Sequence, residues 1–157
     1  MLENLKQWVF ERAIRKQKPR QPRLRNYDSM RNVLVLYKES NGKDASIERF
    51  KKQLIADGKE VTLFGLSKQT EVNFFECPPQ QMVADLQRIH YDLLIDLTLE
   101  PCRPMHYLAL YASADCKAGL ELTHGIHDFM IAVSQQVTST FLFEQILRYL
   151  KMINSKL

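Results

Sequence analysis

Glycine is scarce in this chain, with five in 157 residues. None of the glycine-dependent signatures is present: no GxGxxG, no P-loop and no GxSxG elbow. Gly42 is the only glycine between the first strand and the first core helix, so the dinucleotide fingerprint, which needs close backbone approach to a pyrophosphate, is excluded. Cysteine is equally sparse. Cys77, Cys102 and Cys116 are odd in number and widely spaced, and no CxxC pair exists, which argues against a disulfide framework and a structural zinc site. No HExxH helix is encoded. No apolar run approaches the roughly 20 residues that cross a bilayer. The start, Met1-Leu2-Glu3-Asn4-Leu5-Lys6, lacks the basic n-region and unbroken apolar core of a signal peptide. The expectation is a cytoplasmic protein with no membrane partner, no cofactor and no bound metal.

What is present is organised around Tyr91-Asp92-Leu93-Leu94-Ile95-Asp96-Leu97-Thr98. An apolar run of this length reads as a strand buried on both faces. Asn32-Val33-Leu34-Val35-Leu36-Tyr37 is a second such strand, and Glu60-Val61-Thr62-Leu63-Phe64 a third. Short strands are expected over 72–75, 118–122 and 129–133. Helices are expected between them. One over 45–57 has Ile47, Phe50, Leu54 and Ile55 inward, and Gly58 follows as its C′ residue. Another, opened by Pro78-Pro79, has Met82, Val83, Leu86 and Ile89 inward. A third, started by Pro104, carries Met105, Leu108, Ala109 and Ala112. The last, capped by Thr138 or Ser139, turns Leu142, Ile146, Tyr149, Leu150 and Ile153 to the core. Strands that alternate with helices predict an α/β fold: a single three-layer, Rossmann-like domain with a mostly parallel sheet and helices on both faces. That domain is expected over 32–157. Residues 1–31 precede it as an amphipathic helix, with Leu2, Leu5, Val9 and Ala13 inward and Trp8 beside them, and a basic linker.

Charge is unevenly distributed. Residues 1–31 hold nine Lys/Arg and three Asp/Glu, a net of +6; residues 32–157 hold thirteen and fifteen, a net of −2. Basic character therefore belongs to the arm. Arg15, Lys16, Lys18, Arg20, Arg23 and Arg25 are candidate contacts for the phosphates of an anionic partner such as RNA, with Tyr27 the nearby ring for stacking. The competing reading is a solvated linker.

In open parallel sheets ligands bind beyond the carboxyl ends of the strands. That rule directs attention to the loops 38–44, 98–103 and 123–128. Candidate ligand-binding residues are Lys38, Asp44, Asp96, Glu100, Arg103, His124, His127 and Asp128. Asp44 and Asp96 are also candidate catalytic carboxylates. Asp96, at the end of a buried strand, can serve as a base or bind a ligand hydroxyl; it can equally accept N–H groups from its own loop or pair with Arg103. His124-Gly125-Ile126-His127-Asp128 offers two imidazoles and a carboxylate to a zinc ion. It reads equally as a turn whose histidines hydrogen-bond locally. Ser40, His106 and Asp96 make a triad on paper only.

The order of these elements resembles the N-terminal half of the bacterial heptosyltransferase-like glycosyltransferases, which are built from two Rossmann-like domains. The matching stretches are Val33–Tyr37, Lys43-Asp44, the helix from Ala45, the YDLxIDL strand Tyr91–Leu97, Leu108–Ala112 and Lys117-Ala118-Gly119. They cover roughly residues 32–122. The resemblance implies a Rossmann-like fold and makes Asp44 the base that activates an acceptor sugar, although Lys43 stands where the family has glycine. It also implies that the domain holding the nucleotide-sugar donor has no counterpart here, so no glycosyl transfer is expected from this chain alone. The chain is also similar to small uncharacterised bacterial proteins of about this length.

Three functions follow as expectations. The first is a non-catalytic α/β domain that meets RNA or a protein partner through the basic arm. The second is a small-molecule enzyme or binder that takes a phosphosugar or nucleotide beyond Asp96. The third is a structural homo-oligomer.

Overall fold

A computed structural model describes residues 1–17, 26–39, 45–67, 70–122 and 126–153. Five strands form one all-parallel sheet: β1 (Asn32–Lys38), β2 (Glu60–Leu66), β3 (Tyr91–Asp96), β4 (Ala114–Leu120) and β5 (Phe129–Ile131), in the order β2-β1-β3-β4-β5. The helices are α1 (Leu2–Lys16), α2 (Ala45–Ala56), α3 (Gln80–Gln87), α4 (Arg103–Tyr111) and α5 (Ser139–Met152). The sequence order β1-α2-β2 runs outward to one edge, and β3-α4-β4 runs toward the other. The strand order therefore reverses between β1 and β3, which pair Val33 with Leu93 and Leu36 with Asp96.

Two cores explain why the strands read as unbroken apolar runs. Val33, Val35, Leu93, Ile95, Cys116 and Ala118 face α2 and α5. Leu34, Leu36 and Leu94 face α3 and α4. β1 and β3 are covered on both sides, so alternation with polar residues disappears in them. On the first side the Phe50 and Phe143 rings stack 4.2 Å apart. α2 ends as its sequence signals: Gly58 adopts a φ of 84°, its N–H donates to Ile55 O, and Lys59 N–H donates to Leu54 O. This is the paired bonding of a Schellman end. Thr138 caps α5, its hydroxyl accepting from Phe141 N–H at 3.1 Å.

Several expectations need correction. No strand forms over 72–75. Asn73 Oδ1 accepts from both Phe75 N–H and Cys77 N–H, and Glu76 takes a φ of 65°. Local bonding by an Asn side chain gives the backbone an alternative to a ladder. β4 starts at Ala114 rather than Ala118, because the polar-looking Asp115 and Lys117 belong to it. Lys117 is buried, and its ammonium donates to Ala109 O at 2.6 Å and Leu110 O at 3.0 Å. The carbonyl end of α4 thus accepts the charge. Ile55, Ile89 and Tyr149 are exposed rather than inward, and Ile89 lies beyond the end of α3 at Gln87. α1 also turns differently. Leu2, Leu5 and Trp8 are exposed, and Phe10 is the buried residue. Its ring meets Tyr107 edge-on at a centroid distance of 4.9 Å. Arg103 fixes that contact by pairing with Glu76 and Glu3 and donating to Gln7 Oε1.

Candidate functional site at the carboxyl ends of the strands

At the point where the strand order reverses, the sheet opens into a cavity of about 380 Å³. Its base comes from the ends of β1, β3 and β4 as Tyr37, Leu97 and Leu120. Thr98 to Cys102 form one wall, and Val133, Gln135, Gln136 and Val137 the opposite one. Ile47 in the first turn of α2, Cys102 at the N-cap of α4 and Ser139 at the start of α5 all line it. Three helix N-termini therefore converge on one space. A parallel sheet with covering helices places them there, because each helix begins just after a strand ends.

A buried polar pair underlies the Thr98 wall. Asp96 is fully buried and accepts Thr98 Oγ1 at 2.5 Å and Thr98 N–H at 3.0 Å. Its other oxygen lies 2.9 Å from His127 Nε2. The proton on that nitrogen is the donor, since a carboxylate can only accept. His127 reaches Asp96 by crossing β4 at Gly119, the register partner of Asp96. A Cβ at Gly119 would sit 2.6 Å from His127 Cε1, so the ring occupies the space that any side chain would need. Burial pushes the Asp96 carboxyl up, but the His127 and Thr98 bonds and the nearby imidazole outweigh it and hold it below the ordinary range. His106 lies close by. Its Nε2 accepts from Cys102 N–H at 3.3 Å, so the neutral ring carries its proton on Nδ1. Burial is the main cause that lowers its ionisation to about 4, with the charges of His127 and Arg103 acting the same way and Asp96 opposing.

The residues singled out from the sequence separate into distinct groups. Lys38 and Glu100 line the cavity rim, and Asp96 and His127 meet beneath it. Arg103 does not pair with Asp96; it clamps α1 to the loop before α3. The Asp128 carboxylate accepts from Lys117 N–H at 2.9 Å and holds β5 beside β4. His127 bonds across the sheet to Asp96. In the paper triad, the Asp96 oxygens meet Thr98 and His127. Among the described residues no group of three His, Cys, Asp or Glu side chains is placed for a metal. Asp44, His124 and Ser40 lie outside the described residues. So do Lys18, Arg20, Arg23 and Arg25, whereas Arg15 and Lys16 are exposed on the last turn of α1. Tyr27 cannot stack on a base. Its ring is buried under Lys59 at 4.0 Å, and its hydroxyl donates to Asp57 at 2.7 Å.

Thr98 and the α5 entrance were not foreseen as site residues. Asp96-Leu97-Thr98 is an Asp followed two residues later by a donor, a local pattern that marks such turns. Nothing in the sequence brings Gln135, Gln136 and Ser139 to β1, because that juxtaposition depends on strand order.

No helix among the described residues is long and apolar enough to cross a membrane. No curated protein and no solved structure matches the chain. A family profile does match residues 3–153, from the first turn of α1 through the end of α5. The chain therefore belongs to the family of unknown function DUF6913.

Proposed function

We propose that this protein is a small-molecule-binding α/β domain whose ligand is a phosphorylated sugar or a similar polyhydroxylated anion. The observation that carries the reading is the 380 Å³ cavity at the strand-order reversal, a volume typical of metabolite sites. Three helix N-termini and Lys38 favour an anionic group. Glu100, Gln135, Gln136 and Ser139 supply acceptors and donors for hydroxyls. Tyr37 offers a ring against which a sugar face can lie. Asp96 and His127 support this site as a rigid base for the 97–102 loop, since both are buried below its wall.

Calorimetric titration with glucose 6-phosphate and ribose 5-phosphate tests the reading. Binding by the natural chain is expected, weakened about tenfold or more by Lys38→Glu, an exposed position whose change leaves the fold intact. Absence of heat with every phosphosugar tried, or equal affinity in Lys38→Glu, overturns it.

The charge division at residue 31 favours a second reading, in which the arm contacts RNA phosphates. Binding would then fall with salt and survive changes in the cavity.

A further inference from the structure

A second cavity, of about 400 Å³, lies between α1, the loop 73–77 and α4, on the far side of α4 from the sheet. Trp8, Arg12 and Lys16 stand in one row along α1 at intervals of four residues and line it. Phe75 and Tyr111 present further rings, and Tyr107 contributes a buried wall. The Asn73 turn that abolishes the expected strand is what brings Phe75 here. Arg103 holds both sides together through Glu3 and Glu76.

Two features of this space are unexplained by packing. The Tyr107 hydroxyl is buried and has no hydrogen-bond partner among the described residues. Burial, with Cys77 and Tyr111 nearby, pushes its ionisation up to about 12, so it remains a donor. That oxygen has no accessible surface, so a ligand in the cavity meets the Tyr107 ring and not its hydroxyl. The second feature is the combination of aromatic faces with two exposed cations, Arg12 lying over the Trp8 ring at 5.5 Å. Flat rings beside positive charge is how single nucleotides are held: the base stacks and the phosphate meets the cations.

We infer that the cavity between α1 and α4 is a nucleotide site, in which a base lies against Trp8, Phe75 and Tyr111 and a phosphate meets Arg12 and Lys16. The nucleotide can be free or one residue of a single strand, and the site requires neither the strand-end cavity nor the arm beyond Lys16.

Trp8 is the chain's single tryptophan, so intrinsic fluorescence reports on this wall alone. The full chain is titrated with adenosine 5′-monophosphate, adenosine, inorganic phosphate and a short single-stranded oligoadenylate. Saturable quenching by the monophosphate or the oligoadenylate is expected, weaker quenching by adenosine, and none by phosphate. Quenching by the oligoadenylate alone assigns the source to a single strand; quenching by both admits the free nucleotide. Tyr111→Leu, which removes one of the stacking rings, is expected to weaken binding about tenfold. Arg12→Ala with Lys16→Ala should weaken the phosphorylated ligands about tenfold or more and leave adenosine unchanged. No quenching by either phosphorylated ligand, or affinity unaltered in either variant, overturns the inference.

Discussion

Gly119 has little freedom to change. Its missing Cβ is the space through which His127 reaches Asp96. Gly119→Ala must push the ring off and leave a buried carboxylate short of one donor. A loss of roughly 1–3 kcal/mol is expected, read by urea denaturation. A change within experimental error would show that the ring relocates freely. His106 makes a second prediction, on acid stability. Its ionisation falls from an ordinary 6.5 unfolded to about 4 folded. A depressed histidine contributes stability that is complete above the unfolded value and is lost as pH falls toward the folded one, because the unfolded chain then binds the extra proton. Between pH 7 and pH 5 this single group should cost about 2 kcal/mol. His106→Gln should flatten that part of the profile while lowering stability at pH 7. Asp96 acts lower on the scale. Its depressed carboxyl supplies stability present above the usual aspartate value and lost as pH drops through the folded one. An acid limb near pH 4 and below should therefore persist in His106→Gln.

Among the elements, α1 is the most instructive. Its apolar residues suggest a face of Leu2, Leu5, Val9 and Ala13, yet the buried contact is Phe10 on Tyr107 and His106. Val9 and Ala13 are half-buried as expected, together with Lys6, Gln7 and Ile14 around Phe10, and Arg103 offers polar partners to Gln7 and Glu3 on that side. Phe10→Ala is expected to cost about 3–5 kcal/mol, measured by thermal or urea unfolding. A cost below about 1 kcal/mol would mean that α1 is only loosely attached. β3 is simpler. Leu94 is inaccessible, between β1 and β4 on the side of α3 and α4. Leu94→Ala should cost about 2–5 kcal/mol through lost burial and a cavity. Such strands are legible from sequence because burial on both faces leaves no room for polar residues. β4 was partly missed for the converse reason: a buried lysine satisfied by the end of α4 looks like a surface residue until the helix is placed.

On the scale of the whole molecule, charge separates the basic arm from a mildly acidic domain. If three or four of the arm's cations meet phosphates of a single strand at once, the logarithmic salt slope should be roughly −2 to −4. Titrations of RNA at several ionic strengths measure it, and a slope near zero would remove the arm from consideration. The amino-acid sequence by itself determined the α/β class, the two central strands, the C-terminal end of α2, the start of α5, and the place of Asp96 at a strand terminus. Those features follow from local periodicity, caps and apolar runs, which act over a few residues. Strand order, the union of Asp96 with His127 31 residues away, the burial of Lys117 and both cavities were decided only by tertiary structure. The physical reason is that each depends on which distant elements become neighbours. Neither Gly119 nor Asn73 has an identifiable role until the ring that crosses the one, or the turn built on the other, is in place.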